Sequence, residues 1–103
     1  MSKKVKIAQT GDLSLGEGKV FEAEGQTIAL FNVDGTFYAI DNTCTHKGGP
    51  LGEGAFVGDQ VTCPWHGAQF SVATGNVLGP PARGDVKSFV VTVEGSDVLI
   101  ELD

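Results

Sequence analysis

Two short stretches, Cys44-Thr45-His46-Lys47-Gly48 and Cys63-Pro64-Trp65-His66-Gly67, decide how the chain is read. The sequence has two cysteines and two histidines, and all four sit in these stretches, one of each in either. The spacing is Cys-x-His, sixteen residues (47 to 62), then Cys-x-x-His. Four soft or borderline ligand types gathered this way, with none left over, point to one metal site.

The spacing also bears on the metal. In extended chain, Cys44 and His46 point the same way with Cα atoms roughly 6–7 Å apart. A structural zinc ion draws four donors to about 2 Å from one centre, usually from Cys-x-x-Cys and His-x3-5-His pairs. Here each stretch offers one thiolate and one imidazole. Two facing loops of this kind can place both sulfurs at one end and both imidazoles at the other. That division suits a two-iron cluster with cysteines on one iron and histidines on the other. A zinc ribbon shares the ligand set but not the spacing. A Cys44–Cys63 disulfide would leave both histidines without a role. A Cys–His nucleophile pair would usually draw its two residues from distant positions and would need an orienting third group.

Cys44-Thr45-His46, the spacer and Cys63-Pro64-Trp65-His66-Gly67 resemble the two cluster-binding boxes of the Rieske [2Fe–2S] proteins. The following Ala68-Gln69-Phe70-Ser71-Val72-Ala73-Thr74-Gly75 is similar to that family. So is Leu78-Gly79-Pro80-Pro81, which resembles its proline loop. The resemblance implies Cys44, His46, Cys63 and His66 as ligands of one [2Fe–2S] cluster per chain. It also implies a soluble ferredoxin that is not itself an enzyme. Such a protein carries electrons from a flavin-dependent NAD(P)H reductase to a terminal oxygenase, often one acting on aromatic rings. The alternative is a small Rieske subunit of a multi-subunit redox enzyme. High-potential members of the family have a disulfide and two hydroxyl-bearing residues near the cluster. The matching positions here are Gly49, Trp65, Ala68 and Phe70, so the resemblance implies a low potential, about −150 mV.

Composition narrows the function further. At 103 residues the chain is expected to form one domain. The net charge of −6 argues against a nucleic-acid partner. Lys3, Lys4 and Lys6 are followed by no apolar stretch of signal-peptide type, and Ser88–Val93 is far too short to span a bilayer. With both cysteines assigned to metal, the reducing cytoplasm is the expected setting. Gly16-Glu17-Gly18 lacks the third glycine of a dinucleotide fingerprint, Phe21 standing in its place. With both histidines used, no mononuclear 2-His-1-carboxylate iron site can be built.

Outward from the motifs the pattern is all-β. Strands are expected at Val5–Ala8, Lys19–Ala23, Thr27–Val33, Thr36–Ile40, Ala55–Val57, Gln60–Thr62, Phe70–Val72, Asn76–Leu78, Lys87–Val93 and Val98–Leu102. Asp34-Gly35 predicts a type I′ hairpin turn. The expected architecture is an antiparallel β-sandwich base, about 1–41 and 84–103, with a cluster-binding insert, about 42–83, projecting from one end. Pro50, Leu51, Trp65 and Pro80 are expected as an apolar rim around the histidines. Trp65 could either pack over the insert or meet a partner. Docking is expected at the His46/His66 end, transient and with the free protein a monomer.

Overall fold

The computed structural model describes residues 3–43, 49–65, 67–79 and 84–102. Among them the chain forms three antiparallel sheets. The first contains β1 (Lys3–Gln9), β11 (Asp97–Leu102) and β10 (Val91–Glu94), in that order. The second runs β2 (Gly18–Ala23), β3 (Gln26–Val33), β4 (Thr36–Asp41) and β9 (Ser88–Phe89). The third is a meander of β5 (Phe56–Val57), β6 (Gln60–Thr62), β7 (Gln69–Ser71) and β8 (Val77–Gly79). Two single 3-10 turns, Thr10–Asp12 and Leu51–Glu53, complete the elements.

The second sheet is the middle layer, and β3 shows why. Its segment Ile28-Ala29-Leu30-Phe31-Asn32 is buried at every position. Side chains alternate across a strand, so such a run must be covered on both faces. Ile28 and Leu30 join Ala39, Phe89, Val98, Ile100 and Leu102 in a core against the first sheet. Ala29 and Phe31 join Ile40, Leu51, Val61, Cys63, Phe70 and Val72 in a second core under the third sheet. Phe31 meets Phe56 edge to face, ring centroids 5.0 Å apart. The third sheet therefore covers one face of the base and shares its core, instead of only projecting from an end.

The Asp34-Gly35 turn has the two positive φ values, 52° and 91°, that a type I′ hairpin needs. Glu24-Gly25, with φ of 52° and 79°, turns β2 into β3 in the same way. Glu is an unusual first residue there, since its Cβ disfavours a positive φ. The strand expected over Lys87–Val93 is two strands. Phe89 pairs with Ala39 in the middle sheet, whereas Val91 pairs with Ile100 in the outer one. Between them Val90 is exposed, and its carbonyl accepts the Glu101 N–H at 3.0 Å. The chain changes sheets at this residue, forming a sandwich corner. No helix among the described residues is long and apolar enough to cross a membrane.

Candidate metal centre

The second motif lies at the tip of the β6–β7 hairpin, just after the Thr62–Gln69 pair. The Cys63 N–H donates to the Ala68 carbonyl at 2.7 Å, and the Gly67 N–H donates to the Cys63 carbonyl at 3.1 Å. Gly67 turns back with φ +80°, a left-handed conformation that glycine adopts without a Cβ penalty. This tight return turns Cys63 and Ala68 inward and leaves Pro64, Trp65 and Gly67 exposed. Cys63 is 3% exposed and packs in the core with Leu51, Ala68 and Phe70.

Cys44 and His46 of the first motif, and His66 of the second, lie outside the described residues, as do Lys47 and Arg83. Among the described residues, no group of three His, Cys, Asp or Glu side chains could hold a metal. The flanks of the first motif are nevertheless fixed. Thr43 and Pro50 form an antiparallel bridge, and the Leu51 N–H donates to the Asn42 carbonyl at 2.8 Å. The residues that flank the 44–48 segment are thus held together at the end of β4. Next to this bridge Gly49 lies against Cys63: a Cβ built on Gly49 would lie 2.6 Å from Cys63 Sγ.

That approach tests whether a [2Fe–2S] group fits. A buried thiol is faced by bare backbone directly beside the end of the first motif. A side chain at 49 would fill the space against the sulfur. A thiol so placed, with a second Cys and a His within five residues upstream of Gly49, is a donor set that fits one [2Fe–2S] group. Bare backbone beside a cysteine sulfur also suits a site whose outer hydrogen bonds come from the main chain.

The neighbours expected from sequence divide. Gly49 and Trp65 face each other, with Trp65 Cγ and Cδ2 at 3.1 and 3.2 Å from the Gly49 Cβ position. Trp65 is 57% exposed, so the indole covers Gly49 with one part and meets solvent with the rest. Pro50 is half-buried, and Pro80 lies outside the described residues. Leu51 is not on the rim: it is fully buried in the core under the third sheet, where its 3-10 turn carries it inward. Ala68 and Phe70 are fully buried and bring no hydroxyl toward Cys63. Asn42, which ties the flanks of the first motif, was not singled out from the sequence. Its only local sign is its place two residues before Cys44.

Charge separates the two halves. Lys3, Lys4, Lys6 and Lys19 pair with Glu24, Glu94, Asp97 and Glu17, all outside the third sheet. Residues 49–79 contain Glu53 and Asp59, both exposed, and no lysine or arginine.

Comparison with known proteins agrees with this geometry. The family model described as Rieske [2Fe–2S] domain matches residues 3–90. The ferredoxin component of biphenyl 2,3-dioxygenase from Rhodococcus jostii (strain RHA1) is 42% identical over 95% of this chain and 92% of its own length. The solved ferredoxin of Sphingomonas yanoikuyae B1 superposes with a TM-score of 0.92 at 32% identity, covering 98% of this chain and 100% of that one. A ferredoxin solved as a complex of reduced oxygenase and oxidized ferredoxin in carbazole 1,9a-dioxygenase superposes at 0.88, with 32% identity and 94% and 91% coverage. With a family match across most of its length and ferredoxins as near-full-length relatives, the chain belongs to the Rieske [2Fe–2S] domain family, as an electron-carrying ferredoxin with one [2Fe–2S] cluster and not a catalytic enzyme.

Proposed function

We propose that Cys44, His46, Cys63 and His66 hold the cluster within an insert of about residues 42–83. The two cysteines serve one iron and the two histidines the other. Bound there, the group supplies one-electron redox chemistry. The observation that carries this assignment is the buried Cys63 sulfur facing the bare Gly49 backbone at the end of the first motif. The chain's own contribution is to exclude water from the cysteine end. Leu51, Ala68 and Phe70 close over Cys63, while Pro64 and Trp65 stand in solvent.

The partner is a terminal oxygenase of the aromatic-ring class, and the electron source is an NAD(P)H-dependent flavin reductase. Support comes from relatives named as ferredoxin components of biphenyl and naphthalene dioxygenase systems. Docking is transient and uses the His46/His66 end, where the exposed Trp65 offers an aromatic anchor of the kind enriched in interface centres. The free protein is a monomer in the cytoplasm.

Iron and acid-labile sulfide analysis, with electron paramagnetic resonance of the reduced protein, tests the ligand set. Two irons and two sulfides per chain are expected in wild type, and loss of the signal in Cys63→Ala and His66→Ala. A full cluster in either variant would remove that residue from the ligand set. Steady-state transfer from a flavin reductase to an aromatic-ring oxygenase tests the role. A protein that is reduced but never reoxidised by such an oxygenase would refute the partner assignment.

A further inference from the structure

We infer that Asn42 is a positioning residue for the first motif, clamping both ends of the segment that carries Cys44 and His46 onto the middle sheet. The inference rests on the proposed ligand role of those two residues. Asn42 directly follows β4 and is 9% exposed. Three of its groups are spent on two different stretches of chain. Its N–H donates to the Thr27 carbonyl at 3.2 Å, which ties it to β3. Its carbonyl accepts the Leu51 N–H at 2.8 Å, and its side-chain Oδ1 accepts the Gly52 N–H at 2.7 Å. One residue on the entering side thus holds two consecutive residues on the returning side.

The returning side has no slack. A Cβ on Gly52 would lie 2.6 Å from Val20 Cγ2, 3.0 Å from Asn42 Oδ1 and 3.2 Å from the Lys19 carbonyl carbon. Gly52 is wedged between β2 and the Asn42 amide, so Oδ1 sets how deep the returning chain sits. Three residues earlier that same chain places Gly49 against Cys63 Sγ. The Asn42 side chain therefore holds the chain that leaves the first motif in its place against Cys63. Without it the buried Gly52 N–H has no side-chain acceptor, and the returning chain can drift from Cys63. Residues that orient ligands without touching metal commonly change metal retention tenfold or more.

A stability role alone has an internal control. Asn32 is 5% exposed and also holds neighbouring chain through its side chain, donating Nδ2 to the Leu13 carbonyl at 3.1 Å and accepting the Gly35 N–H at 2.9 Å. Leu13 belongs to the other core, away from Cys63. The test compares Asn42→Ala, Asn42→Asp and Asn32→Ala, each purified with its cluster. Asp keeps the Oδ1 acceptor and serves as the rescue. Three quantities are measured: thermal midpoint, the rate of cluster bleaching under chelator, and the g-values of the reduced signal.

Asn42→Ala is expected to bleach about tenfold faster than wild type with shifted or broadened g-values. Asn42→Asp is expected to retain wild-type g-values, and Asn32→Ala to lose thermal stability with the wild-type signal unchanged. Failure of Asn42→Ala to load while Asn42→Asp loads also supports the clamp. Wild-type bleaching and g-values in Asn42→Ala would overturn it. So would failure of both Asn42 variants to load, since the retained acceptor would then not be what matters. Absence of iron and sulfide from wild type would overturn the ligand reading beneath it.

Discussion

Gly49→Ala is the sharpest perturbation of the site available in a single methyl group. The new Cβ would sit 2.6 Å from Cys63 Sγ and 3.1 Å from the Trp65 ring. Non-bonded heavy atoms rest at about 3.5–4.0 Å, so roughly 1 Å must open on the sulfur side and about half that on the indole side. The two neighbours do not yield equally. Trp65 is 57% exposed and can swing outward at little cost. Cys63 is buried, and its backbone is held at both ends by the bonds to Ala68 and Gly67. The strain therefore falls on the sulfur and on the chain entering at 49. Overpacking of this kind costs about 1–3 kcal/mol. For a domain of about 100 residues that lowers the thermal midpoint by roughly 4–8 °C per kcal/mol. The protein should still fold, since small domains hold about 5–15 kcal/mol in reserve. Cluster retention should suffer more, by about 10–100-fold in bleaching rate under chelator. Gly11→Ala is the control, because a Cβ there meets nothing within 4 Å. Thermal midpoint and bleaching half-life for Gly49→Ala equal to those of Gly11→Ala would refute the packing argument.

Three further outcomes are expected. Gly75→Ala should be among the most damaging single changes, lowering stability by about 3 kcal/mol or more, because its Cβ would sit 2.1 Å from the Val86 carbonyl oxygen at φ +79°. Gly25→Ala shares that φ but meets nothing, so the difference in their thermal midpoints isolates the collision, and equal midpoints would deny it. Ala68→Ser and Phe70→Tyr each place a hydroxyl in the buried surroundings of Cys63 and should raise the reduction potential by tens of millivolts at order of magnitude; a wild-type midpoint near roughly +300 mV would contradict the low potential from which they start. Electron transfer from the proposed flavin reductase should slow as salt rises, since charge complementarity mainly speeds encounter, and a rate indifferent to ionic strength would argue for apolar docking through surfaces such as Trp65.

The sequence by itself determined the chemistry's vocabulary and most of the local structure. Two Cys–His pairs at unequal spacing name the kind of group, because donor type and spacing are local properties of the chain. Asp34-Gly35 forms the type I′ turn for the same reason: its conformational demand is met within two residues. Alternation in Val98, Ile100 and Leu102 likewise gives an inward face that the structure keeps. Of the four candidate ligands, the structure describes Cys63, which is buried.

Tertiary structure decided whatever depends on a second segment. Nothing local distinguishes Phe89 from Val91, yet they pair with different sheets, because the split at Val90 is set by which strand lies alongside. Leu51 reads as a loop residue beside a proline and is core, because the face of β3 bearing Ala29 and Phe31 needs covering. Gly49 shows only as a glycine after a ligand motif; its requirement is Cys63 Sγ, fourteen residues on in the chain and in contact across the fold. Asn42 is polar and unremarked in sequence, and it becomes a clamp only when the chain returns to offer the Leu51 and Gly52 N–H groups. Residue identity and spacing select the donor types, whereas the seat of Cys63 against Gly49 is set by packing between segments far apart in the chain.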